Sequence, residues 1–312
     1  MSFISLQTKP SAQLCYTFTP PSQSSVLLVF LNGLGLPQAA WQPVISQLRT
    51  LRNEKRASLP AILTYDRFGQ GQTTDRDPRD ASVLDPSHGH DCADVVADLH
   101  QLILQIKELH LKDDKNTIST VFVANSIGCA LARLYAETYP GSVAGVLLLD
   151  SVLANSDFVS VFPDPDKKDD TIELPSDVTP DMLRTARDRV ARIFHPSVGS
   201  REGLSRKTLA GLLPTSDGPV LLGPDGKGPY VTVIGHDPEA FAAESEKMGM
   251  PRVLSRAYTN PYWEKYNAGL VQITEPDRAR GPFQAPGAGH FVQKDNPGFV
   301  VEELDILLDQ LD

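Results

Sequence analysis

The apolar residues gather in short uninterrupted runs: Val26–Leu31, Ala61–Tyr65, Val121–Ala124, Val143–Leu149 and Tyr230–Ile234. Several are closed by turn-forming residues, Asn32-Gly33 after the first, Asp66 after the second and Gly235 after the last. Runs of this kind predict strands buried on both faces. Leu14–Phe18 alternates more weakly and stops at Pro20-Pro21, and Pro282–Ala285 reads as a short late strand. Between the runs the period changes to three and four. Cys92–His110 spaces Val95, Val96, Leu99, Leu102, Ile103 and Ile106 along one helical face. Ile127–Tyr139 reads as a helix stopped by Pro140-Gly141, and Pro297–Leu311 as a last helix with a broad apolar face. Buried strands alternating with helices predict an α/β fold, a doubly wound, mostly parallel sheet of about eight strands.

One segment breaks the alternation. Residues 151–229 lie between two sheet strands, roughly eighty residues where a connection needs far fewer. Asp157–Asp177 reads as loop, rich in Asp, Pro and Lys. Thr179 can cap a helix over Pro180–Ile193 with Pro180 at its first position, and Ser205–Leu213 reads as a shorter helix. The expected organisation is a core of residues 1–150 and 230–312 with a helical cap, 151–229, inserted after the sixth strand. The cap starts where ligands bind in open α/β sheets, beyond the C-terminal strand ends.

Composition adds exclusions. The 312 residues are 41% hydrophobic and 22% charged, which marks a globular chain. A formal net charge of -10 argues against nucleic acid or an anionic membrane as partner. The expected partner is a small-molecule substrate, with a homodimer left open. Cys15, Cys92 and Cys129 give no disulfide framework and no metal spacing, so neither metal nor cofactor is expected. No stretch is long and apolar enough to span a bilayer, and the first residues lack a signal-peptide pattern. A cytoplasmic location is the expectation.

The most informative stretch is Ala124-Asn125-Ser126-Ile127-Gly128, which runs from a buried strand straight into a helix. It fits G-x-S-x-G with Ala in the first glycine position. Small residues two places either side of Ser126 let a strained turn lift the hydroxyl above the sheet. The same turn aims the Ile127 N–H at that space. The plain alternative is an ordinary helix N-cap serine. Leu31-Asn32-Gly33-Leu34-Gly35, Tyr65-Asp66-Arg67-Phe68-Gly69-Gln70-Gly71-Gln72-Thr73 and Gly287-Ala288-Gly289-His290-Phe291 flank it in chain order.

Together these four segments resemble the α/β-hydrolase superfamily over nearly the whole chain. The nearest type is the lidded hydrolases, epoxide hydrolases and haloalkane dehalogenases. The first segment resembles the His-Gly oxyanion loop with Asn32 in place of histidine, and the second the D-x-R-G-x-G-x-S turn. Those two groups use an Asp nucleophile; Ser126 implies esterase, lactonase or thioesterase chemistry instead. The resemblance makes Ser126 the nucleophile and His290 its base, and the N–H groups of Leu34 and Ile127 the oxyanion donors. Gly33 and Gly35 let that loop turn sharply, and the Asn32 side-chain amide is an alternative donor.

A serine hydroxyl needs a base, and the base a carboxylate that fixes its tautomer. Of seven histidines, His100 and His110 lie in a helical pattern and are read as solvated or cap-type. His195 falls in the cap, and His88 and His90 flank Gly89 in a loop. For the acid, Asp150 ends the strand after the elbow helix, and Asp237, followed by Pro238 and Glu239, is also a good helix N-cap. Asp150 is preferred, with Asp237 in reserve. An apolar pocket wall is expected from Phe158, Val161, Phe162, Leu183, Ile193, Phe194 and Leu212, with Trp41 from the core. Tyr258, Tyr262, Trp263 and Tyr266, around an extra helix at Pro261–Val271, read as core. The expected function is hydrolysis of an ester, lactone or thioester of a small apolar substrate through an acyl-enzyme. The alternatives are acyl transfer, C–C bond hydrolysis or a lyase reaction at the same site, or a binding protein without turnover.

Overall fold

The computed structural model describes residues 1–111, 118–167 and 174–311. Eight strands form one sheet: β1 (Ser2–Leu6), β2 (Lys9–Thr19), β3 (Val26–Leu31), β4 (Ala61–Tyr65), β5 (Ser119–Ser126), β6 (Val143–Ser151), β7 (Tyr230–Gly235) and β8 (Ala279–Gln284). Their order across the sheet is β1-β2-β4-β3-β5-β6-β7-β8. The β1–β2 and β2–β4 pairs are antiparallel and all the others parallel. The α/β class and the doubly wound, mostly parallel sheet are as the apolar runs predict.

The central strands are apolar throughout because both faces are covered. In β3, Leu27, Val29 and Leu31 face one core, and Val26, Leu28 and Phe30 the other. The first core is closed by helices α2 (Cys92–His110) and α3 (Ile127–Thr138). The second is closed by α1 (Gln42–Lys55) and the C-terminal helix Pro297–Asp309. There the buried Arg52 pairs with Asp305 at 2.9 Å. Strand β1 and helix α1 lie outside the elements that the apolar runs predict. β1 is largely solvent-facing at the sheet edge, and α1 is mostly polar, with Val44, Ile45, Leu48 and Arg52 buried.

Between β6 and β7 the chain leaves the sheet. Helix α4 (Pro180–Ile193) has the predicted bounds, and Thr179 Oγ1 accepts the Met182 N–H at 3.2 Å. The second predicted helix shrinks to Leu209–Leu212. The predicted loop at 157–177 includes 168–173, which lie outside the described residues. Residues 199–205 do not stand away from the core. Leu204–Ser205 pairs in parallel with His90–Asp91, and Ser200 N–H donates to Ser87 O at 3.0 Å. After β7 come α5 (Pro238–Lys247) and α6 (Asn260–Leu270), the latter entered through a π-helical turn at Ser255–Thr259. The helix Pro297–Asp309 is α7. Among the described residues, no helix is long and apolar enough to cross a membrane.

Candidate active site

The parallel register brings the C-terminal ends of β3, β5, β6, β7 and β8 to one edge of the sheet. Leu31 lies beside Ala124, Ser126 beside Ser151, Leu149 beside Ile234, and Gly235 beside Gln284. Residues following these strands therefore share one small space, where ligands bind in open α/β folds.

Ser126 sits where β5 becomes α3, with φ 57° and ψ -122°. A positive φ costs a non-glycine residue free energy, so such positions persist where surrounding packing imposes them. Its hydroxyl caps nothing in α3, which removes the N-cap reading. A Cβ at Gly128 would lie 2.3 Å from Leu31 O, so the smallness of the second residue after Ser126 has a steric cause. At Gly33 a Cβ would come within 3.5 Å of Ser126 Cβ, which shows how closely the loop after β3 covers the elbow.

Asp150 reaches the site through a bulge. Asn125 pairs with Leu149 and Ser126 with Ser151, so Asp150 is the extra residue on β6 and takes φ 41°. A bulge re-aims a side chain that regular pleating would send elsewhere. Asp150 Oδ2 accepts from His290 Nδ1 at 2.6 Å. A carboxylate only accepts, so Nδ1 carries the proton and His290 Nε2 is left as the basic nitrogen. Asp237 does not approach His290. Its Oδ1 caps α5 through the N–H groups of Glu239 and Ala240 at 2.9 and 3.2 Å, and its Oδ2 accepts from Gly287 N–H. Of the two candidate acids, Asp150 is the one in contact with the imidazole.

The same carboxylate holds a second imidazole. His236 Nδ1 lies 2.8 Å from Asp150 Oδ1, and its backbone N–H donates to that oxygen at 3.2 Å. His236 Nε2 faces Asn260 Oδ1 at 3.3 Å, and its ring stacks on Phe241 at 4.1 Å between centroids. Burial alone would push the Asp150 carboxyl up. The charge and hydrogen bond of His236 and the bond from His290 overcome it and bring it down to about 2. Burial likewise pulls His236 down, but the Asp150 charge and hydrogen bond win, and the imidazole is raised above its ordinary value. Nothing in the sequence distinguished His236 from the other histidines.

Asn125 is a further residue of the site that no motif marks as functional. Fully buried, it donates from Nδ2 to Leu149 O and His290 O, both at 3.1 Å, and accepts from Gln293 Nε2 at 3.1 Å. It thereby ties the His290 loop to the elbow. Glu244 Oε2 accepts the His290 N–H at 3.1 Å, and Trp263 sits edge-on to the His290 ring at 5.9 Å. Among the described residues no hydrogen bond joins the Ser126 hydroxyl to His290. Catalytic contacts often tighten only with substrate in place.

Asn32 departs from expectation. Its amide donates to Tyr65 O at 2.8 Å and Gln70 Oε1 at 3.0 Å, and its oxygen accepts from Trp41 Nε1 at 2.8 Å. With both donor directions committed, the side chain has no N–H left for an oxyanion. Trp41 is likewise core, packed on Phe30 rather than on the pocket. Leu34 and Ile127 do line the site.

Ser126, His290, Leu34 and Ile127 border a cavity of about 460 Å³. Phe158, Val161, Phe162, Ile193 and Phe194 supply the expected wall, whereas Leu183 and Leu212 do not reach it. Trp263, expected in the core, is part of the wall, as are Phe241, Met248 and Met250. Its Nε1 donates to Ser151 O at 2.8 Å, so its ring edge faces the space above β6. The remaining histidines stand apart. His90 Nδ1 pairs with Asp80 at 2.9 Å, His195 with Ser197 Oγ at 2.6 Å, and His88 with Ser197 O at 3.0 Å. His100 stacks on Tyr139 and is half-buried, whereas His110, in the last turn of α2, stacks on Phe18 but stays exposed, as a solvated or cap-type residue does. No group of metal-ligating side chains gathers among the described residues.

Comparison with known proteins agrees with this architecture. The sequence model of the alpha/beta hydrolase family matches residues 28–303. No curated protein matches the chain at a significant level. One similar solved structure is AqDC, described for recognition and ring-cleavage of the Pseudomonas quinolone signal. It has TM-score 0.56 and 13% identity, over 99% of this chain and 100% of that one. A carboxylesterase structure from the Thaumarchaeon Nitrososphaera gargenis has TM-score 0.52 and 15% identity, over 99% and 97% of the two chains. A haloalkane dehalogenase DbeA variant from Bradyrhizobium elkanii has TM-score 0.53 and 15% identity, over 99% and 96%. At such identities the likeness is one of fold, and it is the family match, running from β3 into α7, that decides the matter: the chain belongs to the α/β-hydrolase family.

Proposed function

We propose that the protein is a serine hydrolase that cleaves an ester, thioester or lactone through an acyl-enzyme. The observation that carries the reading is the strained, non-capping Ser126, facing the same cavity as an imidazole held at 2.6 Å by a buried carboxylate. Ser126 Oγ attacks the acyl carbonyl carbon while His290 Nε2 takes its proton. Asp150 keeps the proton on Nδ1 and offsets the charge of the imidazolium. The carbonyl electrons move onto oxygen, where the Leu34 and Ile127 N–H groups receive them. Collapse of the adduct expels the alcohol or thiol, which takes the proton from His290. Water, deprotonated by His290, then attacks the acyl-enzyme, and collapse of that adduct releases the carboxylic acid as Ser126 Oγ takes the proton back from His290.

The walls favour an apolar acyl or alkyl group. Of their charged members, Glu244 holds the His290 backbone and Arg206 binds the carbonyls of Phe194, His195 and Val198, while Arg189 also borders the cavity. Each buried methylene is worth about 0.8 kcal/mol. Across p-nitrophenyl esters from acetate to octanoate, kcat/KM should therefore rise about fourfold per methylene until the cavity is filled. Matched thioesters and lactones complete the panel. Absence of turnover with every member would contradict the reading.

A further inference from the structure

Resting on the hydrolase reading above, we infer that Glu202, a residue of the long insertion between β6 and β7, is a positioning residue that aims the Leu34 N–H at the oxyanion. Neither its sequence context nor any motif singles it out. Glu202 is 1% exposed, and it pairs bidentately with the buried Arg67: Nε to Oε2 at 2.8 Å and Nη2 to Oε1 at 3.1 Å.

The remaining bonds of this pair converge on the loop after β3. Arg67 Nη1 donates to Asn32 O at 2.8 Å, and Nη2 to Gly33 O at 3.0 Å. Gln70 Nε2 also donates to Gly33 O at 3.0 Å. Glu202 Oε1 accepts the Gly35 N–H at 2.9 Å. The Gly33 carbonyl and the Leu34 N–H belong to one planar trans peptide, so they point in opposite directions. Holding the carbonyl toward Arg67 and Gln70 turns the N–H away from them. The next peptide, Leu34–Gly35, is fixed from its N–H side by Glu202. Both peptide planes flanking Leu34 are thus set by two side chains that also fix each other.

Glu202 is itself held by backbone. A Cβ at Gly69 would lie 3.0 Å from Glu202 Cα, so the insertion lies directly on the Arg67–Gly69 turn. The His90–Leu204 and Asp91–Ser205 pairing and the Ser200–Ser87 hydrogen bond anchor it on either side. Seating of the insertion and readiness of the oxyanion donor are consequently one event. A core-borne loop becomes competent only with a carboxylate that the insertion brings.

The test compares ligands that do and do not place charge in the oxyanion site. Octylboronic acid forms an anionic tetrahedral adduct with a reactive serine, whereas 1-octanol fills only the apolar space. Two variants are used. Glu202→Gln keeps an acceptor for Gly35 and loses the charge pairing. Arg67→Met with Glu202→Leu removes both charges and so leaves no unpaired ion, a replacement that buried pairs often tolerate. In each variant, boronate affinity and kcat should fall about ten- to a hundredfold, within the effect of losing an oxyanion donor. Octanol affinity and KM should stay within about twofold. Glu202→Asp, shorter but charged, should recover part of the loss. Equal weakening of boronate and octanol, tracking a lower melting temperature, would make the pair merely structural and overturn the inference. Wild-type affinities and kcat in a folded variant would overturn it too. A wild-type protein that neither binds the boronate nor turns over an ester overturns the hydrolase reading instead, and this inference with it.

Discussion

At Asp150 a single carboxylate serves two imidazoles, and its backbone makes that possible. It is the odd residue of a bulge, with one oxygen toward His236 and the other toward His290. Asp150→Asn should lower kcat/KM by about 10⁴, because the amide can present its N–H and stabilise the wrong tautomer. Asp237→Asn should leave turnover near wild type, since that side chain caps α5 and holds Gly287. Steady-state kinetics on the two variants check this, and a collapse in Asp237→Asn alone would reverse the assignment. The sequence could propose both carboxylates, because each follows a buried strand. It favours Asp150 over Asp237 without showing how Asp150 reaches the imidazole, because a bulge leaves no mark on hydrophobic periodicity. The same limit hid His236 and Asn125. Their roles come from which strand ends lie side by side, a property of sheet order rather than of local spacing. Asn32 failed for a related reason: a polar residue after a strand reads as free until its three buried partners are known.

For an element, the junction of β5 and α3 shows what small residues accomplish. Gly128 lets the helix pass directly over Leu31 O, where a Cβ would sit at 2.3 Å against backbone that cannot rotate away. Gly128→Ala should therefore destabilise the protein by about 1–3 kcal/mol, as overpacking does, and cost activity out of proportion by shifting Ser126. Urea denaturation together with kcat measures both effects. Neutral stability and kcat in this variant would show that the helix can move without consequence. Helices with a strong apolar stripe or a cap, such as α2 and α4, keep the bounds their residues predict. Strand β1 buries too few side chains to show a period, whereas helix α1 does carry one in Val44, Ile45, Leu48 and Leu51.

Over the whole molecule, the buried Asp150–His236 pair links stability to pH. Asp150 is depressed to about 2, so its contribution is present above the ordinary carboxylate value and lost as pH falls through about 2. His236 is raised, so its contribution is complete below the ordinary imidazole value and lost as pH rises through its elevated one. The two describe one interaction, counted once, with a plateau between about pH 4 and pH 6.5. Denaturant unfolding of wild type and His236→Gln should differ most on that plateau and converge as the medium becomes alkaline; a gap independent of pH would contradict the assignment. The fold also explains why the proposed reaction centre is legible in the sequence only in part. Ser126 and His290 sit in local motifs, whereas the acid, its second imidazole and the cavity wall are assembled from distant segments. The most direct test of that assembly is intact-mass analysis after treatment with a fluorophosphonate. The wild type should gain one phosphonyl adduct, mapped by peptide sequencing to Ser126, and Ser126→Ala none. A folded wild type that stays unmodified, or an adduct that persists in Ser126→Ala, would contradict the account.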